Sequence, residues 1–400
     1  MSRAAMLAIV VAAATIFAIT LGARTAISLF IGPINTQTGL GLVAISLAFA
    51  VGQLVWGAAQ PVAGAIADRY GAGRVVAGGM LMVAVGTAMI PLATNVGALT
   101  FAVGILMAAG AGAAGPSILM AAMARMLPPE RRAMASAIVN AGGAVGQFTI
   151  VPLAQSLLTW GGWMPALWWL SGFVVACLPL AWVVKGVHAP AAAGAPQHEP
   201  MGVAMKRAFG DRNYLLLGAG FFTCGFHVAF ISTHMPGVVA ACGLPPELGA
   251  WSLALIGLFN LVGSLGIGWA MGRWRSRSLL SIVYAARALA VLVFLAAPKT
   301  ETTLVLFSAV LGLTWLSTVP PTAGLVAKFY GPRYLATLFG VLMFSHQIGG
   351  FLGAYYGGVA FTATGSYDWM WWVDIALALM AAAVHLPIRE KPVRAVAVPA

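Results

Sequence analysis

Acidic residues are the scarcest chemistry in this chain: nine of 400 positions are Asp or Glu, and charged residues of both signs together make up 8%. A soluble domain carries about a quarter of its residues charged, so this composition excludes an ordinary water-exposed globular surface. Cysteine is nearly missing as well. Cys177, Cys224 and Cys242 are odd in number, scattered and without a Cys-x-x-Cys spacing, which removes a disulfide framework and a cysteine metal site. Phosphate-cradling loops, nucleophile elbows and metal-ligand clusters are likewise missing, so no cofactor, metal or catalytic constellation is expected.

What is present is apolar. Hydrophobic residues make up 61% of the chain and the mean hydropathy is +0.95. Crossing a hydrocarbon core of about 30 Å takes about 20 helical residues, and the chain divides into twelve stretches that meet this. They cover residues 5–31, 41–66, 75–95, 98–124, 133–159, 163–184, 213–241, 249–271, 278–297, 302–327, 335–362 and 367–387. Because lipid offers the backbone no hydrogen bonds, these stretches predict an all-α membrane protein. The first follows a lone arginine as a signal peptide would, but its apolar run is too long, and it is read as a span of the mature protein.

Displaced by about 203 residues, the chain resembles itself. Gly22-Ala23-Arg24 recurs as Gly225-Phe226-His227, Pro33 as Pro236, Arg69 as Arg273, Arg125 as Lys328, and Trp168-Trp169 as Trp371-Trp372. Such a match across glycine, proline and cation positions predicts duplication of a six-helix unit. Residues 1–184 and 213–400 are therefore expected to form two pseudo-symmetric bundles. The polar segment 185–212, with Pro190, Pro196, Pro200, Lys206, Arg207 and Arg212, reads as the linker between them.

The net charge of +12 is an orientation signal rather than a nucleic-acid signature. With the N-terminus inside, 18 of the 21 cations fall on cytoplasmic segments, Lys299 is outside, and Arg24 and Arg287 are left within spans. Both termini are thus expected in the cytoplasm, the bilayer is the expected partner, and the protein is expected to be monomeric. Glycines at small-xxx-small spacing, such as Gly142 and Gly146 or Gly349, Gly353 and Gly357, predict close helix packing. Pro116 and Pro320-Pro321 are expected to interrupt the fourth and tenth spans, which are equivalent in the two halves.

Between spans two and three stands Gly64-Ala-Ile-Ala-Asp68-Arg69-Tyr-Gly71-Ala-Gly-Arg74. It resembles the signature loop of the major facilitator superfamily, and the second copy, Gly268 to Arg277, has Gly272 in place of the acid. The resemblance implies twelve helices, a bacterial inner-membrane location, and a conformational latch formed by Gly64, Asp68, Arg69, Gly71 and Arg74. Further segments resemble the bacterial branch of the monocarboxylate transporters: Arg24 to Pro33, Asn140 to Pro152, His227 to Pro236, and Phe344-Ser-His346-Gln347. One departure stands out. Animal members resembling this fold carry an acid and an arginine in span eight, where this chain has Asn260 and Ser264.

Arg24 is the first candidate for binding a substrate. An arginine within a span costs about 2.5–3.5 kcal/mol on insertion scales and calls for a wet cavity or a partner, and no acid lies in spans 1, 4, 5, 7, 8, 10 or 11. A guanidinium without a resident counter-ion suits a carboxylate; the competing reading is snorkelling to the interface. His227, its counterpart in the second half, is expected near it across the pseudo-two-fold axis, able to donate to a carboxylate or carry a proton. Asn140, Gln147, Asn260, His346 and Gln347 are further candidates for the substrate site, against a reading as interhelical hydrogen-bonding groups. Arg287 and Asp374, in spans nine and twelve, are expected to neutralise each other or Tyr284; Arg287 is alternatively a second carboxylate ligand and Asp374 a proton-coupling group.

Together these features predict a secondary transporter for a small organic anion, a monocarboxylate, driven by proton symport or by anion exchange, and not an enzyme. An exporter of hydrophobic or cationic compounds is the alternative, and it would want a buried acid in span 1, 4 or 5. A sensor without turnover is a third reading, for which the chain carries no signalling appendage.

Overall fold

The computed structural model describes residues 3–184, 201–331 and 335–391. Lys185, Arg333 and Arg394, and the side chains of Arg3, Asp68, Arg125 and Arg132, lie outside the described residues. Every regular element among the described residues is helical. Eleven segments are long and apolar enough to cross a membrane: Ala5–Thr38, Leu42–Ala67, Ala72–Leu92, Val96–Met123, Met134–Gly161, Trp163–Val183, Arg212–Ala241, Glu247–Met271, Ser276–Ala296, Glu301–Tyr330 and Thr337–Thr364. A twelfth helix, Asp368–His385, carries Asp368, Asp374 and His385 within its 18 residues. These are the first to twelfth spans below. The molecule has the all-α, twelve-helix fold that the hydropathy predicts.

The first span runs further than its hydropathy suggests. Its helix ends at Ala26, passes through a tight turn, Ile27–Phe30, and continues as Ile31–Thr38. Pro33 sits near the start of that last piece, where a residue without an N–H leaves no helical bond unmade. Of the segment 185–212, residues 185–200 lie outside the described residues, and the remainder holds a helix, Met201–Gly210. Gly162 and Gly365, 203 positions apart, end the fifth and eleventh spans with φ of 81° and 71°, a backbone shape that favours glycine.

The fourth and tenth spans are broken where proline predicts it. A helical piece ends at Ala113 and the next begins with Pro116; another ends at Thr314 and the next begins with Val319, with Pro320 in its first turn. Proline is tolerated at a helix start because its missing N–H would be unpaired there anyway.

Two kinds of contact hold the spans together. Within each half, glycine lets backbone touch backbone. The first span lies along the fifth and the seventh along the eleventh. A Cβ added at Gly146 would collide with the carbonyl of Ala18, one at Gly349 with that of Phe222, and one at Gly353 with that of Phe226. Between the halves, where the second span meets the eleventh and the fifth meets the eighth, glycine faces side chains instead. Gly57 faces Gln347, Gly350 faces Gln53 and Ala229, Gly358 faces Ser46, and Gly257 faces Gln147. The first and seventh spans also touch at the turn Ile27–Phe30, whose four residues are buried.

Candidate functional site

Polar groups within the spans gather at three places. The first lies on the seam between the halves. Arg24, on the first span, donates through Nη2 to Gln53 Oε1 at 2.8 Å, and its guanidinium carbon lies 4.9 Å from the centre of the Trp56 ring. Gln53 and Trp56 are three residues apart on the second span, so they share one face. Neither carries a charge, and Arg24 meets no carboxylate among the described residues. Its side chain remains partly exposed. About one turn along the second span, Gly57 packs on Gln347 of the eleventh. The Gln347 Nε2 lies 3.4 Å from His346 Nδ1, and its buried Oε1 has no partner among the described residues. His346 itself rests against the Phe221 ring, with centroids 5.0 Å apart.

The second place is dry and lies within one half. His227 Nδ1, on the seventh span, lies 2.7 Å from Asp374 Oδ2 on the twelfth, and both side chains are 1% exposed. The Trp315 ring covers the imidazole at 6.0 Å. The remaining atoms of the pair, His227 Nε2 and Asp374 Oδ1, are buried and have no partner among the described residues. The partner of Asp374 is therefore His227, not Arg287 or Tyr284 as charge strength alone suggests. No hydrogen bond joins His227 to Arg24 among the described residues: each has taken its own partner.

The third place is the break in the tenth span. Arg287 is fully buried and donates through Nη2 to the carbonyls of both Thr314 and Trp315. Its Nη1 points to Cys224 Sγ at 3.5 Å, and its guanidinium carbon lies 5.3 Å from the Tyr284 ring centre. On the other side of the break, the N–H of Leu316 donates to Asn260 Oδ1 at 3.1 Å. Interrupting a helix frees backbone carbonyls and N–H groups, and in lipid each must find a new partner. Arg287 supplies the donors and Asn260 the acceptor. A cation at a helix C-terminus also suits the negative end of its dipole. The two residues predicted as substrate ligands in spans eight and nine are thus engaged with the backbone of the tenth.

The other predicted residues take separate positions. Gln147 donates through Nε2 to the Leu253 carbonyl at 2.8 Å and bridges the fifth and eighth spans. His234 donates to the Ala354 carbonyl at 2.8 Å. Asn140 is exposed, and among the described residues its side chain has no hydrogen bond. In the loop between the second and third spans, Gly71 has φ of 93°, Arg69 and Arg74 are exposed, and Gly64 packs near Ile118; Asp68 lies outside the described side chains. Sequence reasoning misses Gln53 and Trp56 because it does not expect the second span to line a site. The signal is nonetheless present: Gln53, Trp56, Gly57 and Gln60 mark one helical face of an otherwise apolar span.

Comparison with known proteins agrees with this architecture. The family profile described as Major Facilitator Superfamily matches residues 12–354. The uncharacterized MFS-type transporter YcxA of Bacillus subtilis is 24% identical over 87% of this chain and 86% of its own. Monocarboxylate transporter 13 of Rattus norvegicus is also 24% identical, over 77% of this chain and 71% of its own. Among solved structures, a bacterial homologue of the human lysosomal transporter Spinster, in an inward-facing and unoccupied conformation, superposes with a TM-score of 0.70. It covers 97% of this chain and 95% of its own at 16% identity.

Proposed function

The chain belongs to the Major Facilitator Superfamily, and for this transporter we propose a small organic anion, a monocarboxylate, as the cargo, moved by alternating access with a proton as the coupling ion. One observation carries the reading: Arg24, a cation within a span, is held by a neutral amide and an aromatic face and by no acid among the described residues. A carboxylate arriving at Arg24 exchanges an ion–neutral hydrogen bond for a bidentate one in which both partners are charged. Gln53 and Gln347 supply the neighbouring amides.

The His227–Asp374 pair is the proton site in this proposal. The pair places an imidazole and a carboxylate within hydrogen-bonding reach inside the membrane, and these are the side-chain types that carry protons. Taking up one proton with one monocarboxylate anion makes the crossing electrically neutral, which suits a low-dielectric path. Residues 1–184 and 213–400 are the units that rock in this scheme, joined by 185–212. The loop from Gly64 to Arg74 latches one face, both termini lie in the cytoplasm, and the protein works as a monomer in a bacterial inner membrane. The similarity to monocarboxylate transporter 13 of Rattus norvegicus, which extends over 77% of this chain, supports the cargo class.

Uptake of labelled lactate and pyruvate into proteoliposomes tests the reading. An inward proton gradient is expected to accelerate uptake, and Arg24→Ala to remove it. Stimulation by trapped carboxylate instead of protons assigns the exchange mode. No uptake of any monocarboxylate, with an Arg24→Ala protein indistinguishable from wild type in carboxylate binding, overturns the assignment.

A further inference from the structure

Away from the seam, three parts of the second half converge on a basic cleft of about 400 Å³. It is lined by Arg275 and Arg277 from the start of the ninth span, Lys328 from the end of the tenth, and Arg389, Glu390 and Lys391 after the twelfth. Five cations thus surround one acid. Glu390 is fully occupied: one oxygen accepts from the backbone N–H of Arg277 at 2.9 Å and the other from Lys328 Nζ at 2.9 Å. Arg277 is occupied too, donating through Nη1 to the carbonyls of Leu386 and Ile388 at 3.0 and 3.1 Å. The second copy of the signature loop has no acid of its own, since Gly272 holds that position, and its Arg277 meets Glu390 instead.

That leaves Arg275, Arg389 and Lys391. All three are exposed, and their side chains have no partner among the described residues. The neighbouring surface is built for a lipid boundary. Trp269 and Trp274 are 58% and 54% exposed, stand edge to face at 5.6 Å, and Arg273 lies over the Trp269 ring at 4.0 Å. Tryptophan at helix ends marks the headgroup level of a bilayer, and a basic pocket between helix ends at that level fits an anionic headgroup.

The geometry points to a binding site for a phosphate-bearing anion in this cleft, held by Arg275, Arg389 and Lys391, with an anionic phospholipid as the occupant. Arg277, Lys328 and Glu390 form its preorganised wall. A headgroup seated there ties the ends of the ninth, tenth and twelfth spans to one another. The site is independent of the anion-carrier assignment and involves none of the residues on the seam.

Native mass spectrometry of the full chain in detergent, with phosphatidylglycerol, cardiolipin or phosphatidylcholine added in turn, tests it. Phosphatidylglycerol and cardiolipin are expected to stay bound and phosphatidylcholine to dissociate. Removing each cation should weaken retention about fivefold, so Arg275→Gln, Arg389→Gln and Lys391→Gln combined should weaken it about a hundredfold. All three positions are exposed, and the single variant Arg389→Gln serves where the triple variant is poorly expressed. Competition by millimolar inorganic phosphate distinguishes the sources. Phosphate that binds while phosphatidylglycerol does not overturns the lipid assignment. Equal retention of all three lipids, or retention unchanged in the triple variant, overturns the site.

Discussion

Arg24 and His227 occupy the same register in the two halves, yet the molecule surrounds them in opposite ways. Arg24 has an amide and an indole for company and keeps part of its side chain open. His227 has a carboxylate at 2.7 Å and is sealed. The acid placed mid-span, Asp374, lies in the second half and pairs there with His227. The difference teaches that a buried base is defined by its partners. Arg24 is held by neutral neighbours and stays partly open, whereas the His227 imidazole is closed against a carboxylate.

The comparison breaks most sharply at the sealed pair. Asp374→Leu or His227→Leu alone strands the other group in a dry interior and should lower stability by about 3–5 kcal/mol, while the double substitution should recover most of that loss. Thermal unfolding in detergent reads the cycle, and additive losses would mean that the two groups are not a pair. The double variant is also expected to take up substrate without response to a proton gradient.

At the open site the expected loss is functional rather than structural. Arg24→Ala removes a charged hydrogen-bonding partner worth about 1.5–3 kcal/mol, which corresponds to about 10–150-fold in kcat/KM for carboxylate uptake. Melting should change little by comparison. If uptake survives intact, the two positions do not differ as argued.

Gln53→Leu sharpens the contrast further. It frees Arg24 of its resident acceptor, so an anion no longer displaces an amide, and the KM for a monocarboxylate should fall about fivefold. A rise in KM would instead make Gln53 a direct ligand.

The smallest effect belongs to Glu390, a paired acid outside the spans. Burial alone would raise its carboxyl, but the Arg277 N–H and Lys328 outweigh that and hold it below the ordinary carboxylate range. A depressed folded-state value contributes stability that is present above the unfolded value and lost as pH falls through the folded one. Wild type should therefore lose a few degrees more than Glu390→Gln when melts are carried from pH 6 into the acid range below 4.5. Parallel curves for the two proteins would show that the carboxylate contributes nothing there.

The spans, the two breaks and the isolation of Arg24 were legible in the sequence because each depends on local chemistry: apolar length, a proline without an N–H, a cation with no acid nearby along the chain. Partner choice was not. Helices that are apolar all round give no periodic signal for which face points where, so Arg287 and Asp374 look like natural mates although their helices turn them to different neighbours. Asn260 and Arg287 read as ligands because their true partners are backbone groups freed by a break, which no side-chain pattern records. Gln53 escapes notice for a related reason, since its role follows from the face the second span turns to the first.

The packing of glycine divides the molecule mechanically. Where the first span lies on the fifth and the seventh on the eleventh, main chain rests on main chain with no clearance, so each couple behaves as a single beam. Where the halves meet, Gln53, Gln147, Gln347 and Ser46 fill the gap with atoms that swing on single bonds. Arg24 and the amide of Gln347 stand on opposite sides of that side-chain-filled seam, one on the first span and the other on the eleventh.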